Sequence, residues 1–433
     1  MTKSSSSFAG SRRTMLKGAA TLALLTAARA ALPSGAWAGT ADTPETDTVT
    51  LGFIALTDSA PLMIAVEKGL FAKYGIKTAN VLKQASWGAT RDNIELGSAN
   101  GGIDGAHILT PMPYLITTGK QTKSSEPLPM YILARLNTNG QGISVTKDFA
   151  SLGVRLDSSN LKAEFAKLRS AGSDAKVAMT FPGGTHDLWI RYWLAAGGID
   201  PDNDCSTIVV PPPQMVANIK VKTMQAFCVG EPWPAQTVNQ QLGYTALTTG
   251  EFWKDHPEKC VGLRADWVDK NPKAAKAVAM AVLEAQQWCD KLENKKEMCE
   301  ILAKREWFKV PFEDIYSRSM GTIDYGDGRK VENSPFIMKY WRDFASYPFQ
   351  SHDLWFLTED VRWGYLPAKT DLNALVKKVN REDIWRDAAK TIGVPAAEIP
   401  TSTSRGVETF FDGKKFDPAN PSAYLSSLAI KRV

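Results

Sequence analysis

From residue 48 onward the apolar positions switch repeatedly between two periods. Residues 48–56, "TVTLGFIAL", form a β-branched apolar run that predicts a strand. The next stretch, "TDSAPLMIAVEKGLFAKYG", spaces its apolar residues three and four apart behind Thr57, Asp58 and Pro61, and predicts a helix stopped by Gly75. The same alternation continues with "IKTANVLKQ" (strand), "TRDNIELGSANGG" (helix), "IDGAHILT" (strand), "PMPYLITTGK" (short helix) and "MYILARL" (strand). It resumes after "LGVRLD" with "KVAMTF" (strand), "GTHDLWIRYWLAAGG" (helix), "STIVVP" (strand), "PPQMVANIKVK" (helix) and "MQAFCVG" (strand). Residues 259–292 then read as a strand followed by a long amphipathic helix, and the last third is helix-rich and aromatic in "DFASYPFQSHDLWFLTEDVRWGYL". Strands alternating with helices predict parallel α/β sheets. The interruption predicts two lobes, with residues 48–150 and 256–433 in the first and residues 151–255 inserted as the second. Ligands of such folds sit between the lobes, beyond the carboxyl ends of the strands.

The first 38 residues stand outside this pattern. "SRRTMLKG" precedes the apolar run "AATLALLTAARAAL" and the small-residue site "AWA", which predicts a twin-arginine export signal cleaved after Ala38. That run is shorter than a membrane span and contains Arg29. The remaining length suits two or three domains. The whole chain carries a net charge of +5. Lys3, Arg12, Arg13, Lys17 and Arg29 lie in the signal with no acidic residue, so the rest is neutral. Bulk charge therefore gives no support to a nucleic-acid or anionic-membrane partner.

Candidate chemistry is sparse. Cys205, Cys228, Cys260, Cys289 and Cys299 show no metal spacing, and only Cys289 and Cys299 are near enough in sequence to suggest a pair. No P-loop, GxGxxG, GxSxG or HExxH is present, and no enzyme is expected. What remains are polar groups at strand-to-helix junctions. In "FPGGTHDLW", Gly183 and Gly184 free the backbone, Thr185 suits an N-cap and His186 falls in the first turn, where an anion is welcome. A histidine that merely fills that turn fits the local pattern equally well. Trp87 in "QASWG" offers an indole donor or simple packing. Gln141 in "NGQGISV" lies near the presumed crossing, Gly230 ends a strand in "CVGEPW", and Lys259 in "HPEK" precedes a strand. His107, inside an apolar strand, reads as a satisfied core histidine.

The blocks "TLGFIALTDSAPLMIAVEKGLFAKYG", "VLKQASWGATRDNIELGSANGGIDGAHILTPMPYLITTGK", "FPGGTHDLWIRYWLAAGGIDPDND", "STIVVPPPQMVANIKV" and "AFCVGEPW" resemble the periplasmic nitrate-binding components of bacterial nitrate ABC transporters. That group includes the closely related bicarbonate-binding proteins. The resemblance runs from Thr48 to "TSTSRGVETFFDGKKFDP" near the C-terminus. It implies a two-lobed periplasmic solute-binding protein of type II that closes on one small oxyanion in the interlobe cleft. It also implies a monomer that delivers nitrate, and nitrite, to the permease and ATPase subunits of the transporter. The nitrate ligands it implies are Trp87, Gln141, His186, Gly230 and Lys259, with no metal or cofactor. In the bicarbonate-binding relatives an acidic residue stands in place of Lys259 and calcium accompanies the anion. The resemblance therefore keeps a bicarbonate binder as the alternative, and a cytoplasmic nitrate sensor as another that the export signal opposes. Many members are tethered by an N-terminal cysteine, whereas the first cysteine here is Cys205. A free periplasmic protein is expected, associated with the membrane through the permease alone.

Overall fold

The computed structural model describes residues 43–433. The predicted export signal and its cleavage after Ala38 lie outside the described residues. Strands β1 (Thr48–Phe53), β2 (Thr78–Lys83), β3 (Gly105–Leu109) and β4 (Met130–Arg135) share one sheet with a strand from much later in the chain, Lys259–Arg264, in the order β2-β1-β3-(Lys259–Arg264)-β4. Between them in sequence, β5 (Gln141–Thr146), β6 (Lys176–Met179), β7 (Ser206–Val209), β8 (Ala226–Gly230) and β9 (Gly243–Thr248) form a second sheet, β7-β6-β8-β5-β9. The later strand is β10. Helices cover both sheets, giving a two-lobed α/β fold, and Pro44–Val433 forms one compact unit.

Two expectations need correcting. The sheets are mixed rather than parallel: β10 runs antiparallel to β3 and β4, and β5 antiparallel to β8 and β9. The reversed strand is in each case the first one after the chain changes lobe. Strands fed by helical crossovers all end at the cleft, so a chain arriving across the cleft must start there and run the other way. The first crossing also falls before β5, so 141–150 does not belong to the first sheet. This topology places the first residues of β5 and β10, Gln141 and Lys259, beside the last residues of β8 and β3: Gln141 pairs with Gly230, and Lys259 with Leu109.

The crossings are tied together. Asn139 and Asp255 both adopt positive φ, at 58° and 56°, a conformation Asn and Asp tolerate better than most residues. Asn139 Nδ2 donates to Asp255 Oδ1 at 3.0 Å, and the Asp255 N–H donates to Asn139 Oδ1 at 2.9 Å. A third segment joins them: Lys339 exchanges backbone hydrogen bonds with Thr138 and pairs with Asp255 at 2.7 Å.

Helix boundaries follow local chemistry. The predicted 57–75 helix breaks at Gly69, leaving α1 (Ala60–Glu67). Helix α2 (Trp87–Leu96) starts earlier than expected because Ser86 caps it, accepting from the Ala89 N–H. Helix α3 (Thr185–Ala196) carries the central histidine. The long helix after β10 is cut at Pro272, which cannot donate backward, and continues as α4 (Pro272–Asp290). Ala274, Ala277, Val278, Ala281, Val282 and Ala285 form the buried stripe of α4, which packs against α1. Residues 256–433 are not confined to the first lobe, contrary to expectation. In α5 (Phe312–Ser319) Asp314 accepts from Gln236 and Asn239, and Arg318 reaches Glu231 at 2.6 Å and Thr245 at 2.8 Å, all in the second lobe. Trp355 in α6 (Gln350–Arg362) stacks on Trp189 of α3 with centroids 4.9 Å apart. Long aromatic side chains on α3 need more cover than a five-stranded sheet gives, and the C-terminal part supplies it. The five cysteines are free, so Cys289 and Cys299 do not pair.

Candidate functional site

The buried centre between the lobes is organised by Lys259, at the start of β10 and 0% exposed. Its Nζ lies 2.5 Å from Glu258 Oε2, 3.1 Å from Asp58 Oδ2, 3.4 Å from Gln141 Oε1 and 3.4 Å from His186 Nε2. His186 completes the contact with Nε2 2.7 Å from Gln141 Oε1, while its Nδ1 is 2.6 Å from Thr180 Oγ1. Gln141, from the start of β5, donates through Nε2 to Asp58 Oδ2 at 3.1 Å. Gly230 sits opposite Gln141 because nothing larger fits: a Cβ there would lie 2.5 Å from Gln141 Oε1 and 3.3 Å from Asp58 Oδ2. Of the five residues singled out in the sequence, Gln141, His186, Gly230 and Lys259 thus meet directly. Trp87, in the first turn of α2, joins one step removed. Its ring lies 5.3 Å from that of His107, which bonds Asp58 Oδ1 through Nε2 at 2.6 Å. The Trp87 indole N–H is buried with no acceptor, so it is a donor that an oxygen ligand would satisfy.

The α3 terminus differs from expectation in one respect. Gly184, not Thr185, is the N-cap, and Thr185 donates its hydroxyl to Glu258 at 3.0 Å. Gly183 has φ +70° and donates its N–H to Asp187 Oδ2 at 2.9 Å, which closes the turn that presents His186. Glu231, after β8, is held by Arg318 at 2.6 Å.

Three groups were not singled out in the sequence: Asp58, Glu258 and His107 as a partner of Asp58. Asp58 lies in the loop between β1 and α1, and its one legible signal is its position beyond the carboxyl end of a strand. Glu258 was hidden beside Lys259 in an ordinary-looking charged loop. It accepts from Trp189 Nε1 at 2.6 Å as well as from Thr185 and Lys259.

Burial governs the electrostatics. It pushes the Asp58 carboxyl up, but the Lys259 charge and the hydrogen bonds from His107 and Lys259 overcome this and hold it far below its ordinary value. Burial opposes the charged form of Lys259, and the carboxylates of Asp58 and Glu258 more than offset that, raising its pKa. Glu258 is raised by burial against the pull of Lys259. Burial, then Lys259, push His186 well below its ordinary value, so its ring is neutral. The centre therefore offers an ammonium, an imidazole, an amide and an indole N–H, with two carboxylates behind them. A small oxyanion has acceptors for each of these donors. A cavity of about 30 Å³ adjoins Gln141, walled by Thr57, Glu231, Arg318 and Met338.

The family model of the NMT1-like family matches residues 42–303, more than half of the chain. The chain belongs to the NMT1-like family. This NMT1-like chain is 67% identical over 391 residues to the nitrate/nitrite binding protein NrtA of Synechocystis, covering 90% of the chain and 86% of that protein. It is 46% identical over 398 residues to the bicarbonate-binding protein CmpA of Synechococcus elongatus, covering 90% of the chain and 88% of that protein. The crystal structure of the periplasmic nitrate-binding protein NrtA from Synechocystis superposes with a TM-score of 0.88 at 67% identity, over 90% of this chain and all of that one.

Proposed function

We propose that the protein is the periplasmic solute-binding component of an ABC transporter that captures nitrate, and also nitrite, and delivers it to the membrane permease. The observation that carries this reading is the buried Lys259 ammonium within 3.4 Å of both Gln141 and His186. Trp87 holds a free indole donor nearby, and Gly230 lets the Gln141 amide come close to its backbone. Nitrate brings three acceptor oxygens and no proton, which suits a set of donors contributed by both lobes. The lobes are clamped by whatever bonds more strongly in the closed form than in the open one. Trp87 and Lys259 come from the first lobe and Gln141, His186 and Gly230 from the second, so an anion between them bonds fully only when the cleft is shut. The 67% identity to a nitrate/nitrite binding protein supports nitrate, and Lys259 opposes a calcium-assisted bicarbonate site. Export by a twin-arginine signal, cleavage after Ala38 and a monomeric state belong to the same reading.

Isothermal calorimetry of the mature chain decides between the anions. Nitrate and nitrite are expected to bind without calcium, and sulfate not to bind. Bicarbonate heat that appears only with calcium, together with no heat from nitrate, would overturn the assignment.

A further inference from the structure

The charges at the site do not balance. Two carboxylates, Asp58 and Glu258, face one ammonium, Lys259, and all three are 0% exposed. Of the other acids nearby, Asp187 is matched by Arg191 and Glu231 by Arg318. Asp360, beside Gly183, has no side-chain partner among the described residues, and burial raises its pKa well above the ordinary value. A monovalent anion adds a negative charge to this buried cluster, and an unmatched buried charge is strongly unfavourable.

We propose that the anion is bound together with one proton, which lodges on His186, so that the cargo of the closed protein is an anion and a proton. This rests on the nitrate reading above. The hydrogen bonds around the ring permit it. Nδ1 faces the Thr180 hydroxyl at 2.6 Å, and a hydroxyl can donate to a neutral ring or accept from a protonated one. Nε2 faces the Gln141 Oε1 acceptor at 2.7 Å and the Lys259 ammonium at 3.4 Å; the nearer acceptor keeps a hydrogen on this nitrogen in either state, and it can turn to an anion oxygen. The ring thus gains a proton without losing a partner. His107 has no such freedom: Nε2 bonds Asp58 and Nδ1 faces the Ile54 N–H at 3.5 Å, a donor that cannot reverse. The charged and titratable groups around His186 are Lys259 from β10, Glu258 just before it, Asp58 from the loop before α1, His107 from β3, His256 from the second crossing and Asp187, next to it on α3. Thr180 is a positioning residue, which acts through the ring.

The sign follows. Without the anion, burial and Lys259 keep the ring neutral, with its pKa well below the ordinary value. An adjacent anion raises that pKa. Between the two values binding takes up a proton, so affinity strengthens as pH falls, by up to about tenfold per pH unit.

The test is calorimetry of the mature protein with nitrate at pH 6, 7 and 8, in phosphate and in imidazole, whose ionisation heats differ. The expected result is a difference in heat between the buffers that corresponds to about one proton taken up at the lower pH. His186→Gln keeps a donor but cannot hold the charge, and is expected to bind more weakly with no proton uptake. Nitrate heat that is the same in both buffers overturns the proposal, as does uptake that persists in His186→Gln. Should that variant fail to bind, Thr180→Val must reduce the uptake, and unchanged uptake overturns the proposal. Nitrogen-15 spectra of the four histidines must show one ring, assigned to His186, turning from neutral to protonated when nitrate is added at pH 6. A ring that stays neutral overturns it. Absence of nitrate heat in every buffer instead removes the function reading on which the proposal stands.

Discussion

At the scale of single residues, Lys259 matters through its partners as much as its own charge. Lys259→Glu would place a third carboxylate beside Asp58 and Glu258. We expect calcium-free nitrate binding to vanish, with a fall in stability of about 3–5 kcal/mol, as is usual when one member of a buried ion pair is removed. Calorimetry and urea unfolding measure the two effects separately, and unchanged nitrate affinity would remove Lys259 from the site. Gly230→Ala tests geometry instead of charge. Its methyl would meet Gln141 Oε1 at 2.5 Å, so nitrate affinity should fall by at least about tenfold, equivalent to about 1.4 kcal/mol. The circular dichroism spectrum should be unchanged. The five residues named from the sequence each stand at a strand end or a helix start, which local pattern shows, and the resemblance joined them into one set. Asp58 and Glu258 were not legible, because a carboxylate in a loop is ordinarily solvated, and only folding takes these two out of water.

At the scale of elements, the period of the apolar positions located most strands and helices up to residue 230 and the strand and helix from 259 to 292. It missed the helices at 161–170 and 233–239 and the strand at 243–248, while local chemistry shifted the ends. Gly69, Ser86 and Pro272 each moved a boundary for a reason written in one residue. Strand direction was different. Alternation implied parallel sheets, and the reversal of β5 and β10 depends on where the chain crosses between lobes, which no local period records. Helix α3 is held from both sides. Besides the sheet, Tyr365 donates to Asp187 Oδ2 at 2.5 Å, the same oxygen that accepts the Gly183 N–H. Tyr365→Phe should weaken that turn by about 1 kcal/mol. We expect a small drop in melting temperature with a larger loss in nitrate affinity, because the turn aims His186. A variant with lower stability and unchanged affinity would place the turn outside the site.

At the scale of the whole molecule, the C-terminal part links the lobes that the strands define. Trp355 stacks on Trp189 amid Trp253 and Phe356. Trp355→Ala should destabilise the protein by about 3–5 kcal/mol, read as a lowered urea midpoint. Acid should act on stability and on binding with opposite signs. Burial lowers His256 and His352 to about 3 each from an ordinary value of 6.5. The unfolded chain therefore binds protons that the folded chain refuses, and stability falls as pH drops from 6.5 toward 3. At pH 5 the loss is about 2 kcal/mol for each histidine. Thermal melts without ligand should show this decline above the range where carboxylates titrate, and a flat melting temperature between pH 7 and 5 would contradict the burial of these rings.

Local pattern was enough to indicate an α/β fold in two lobes, because alternating strand and helix periods are written in neighbouring residues. It could not settle strand direction, the return of residues 312–331 to the second lobe, or the acidic partners of Lys259. Those depend on contacts between residues far apart in sequence, such as Arg318 with Glu231 and Lys259 with Asp58. Each is favourable only once both partners have left water, and that happens at the closing of the fold.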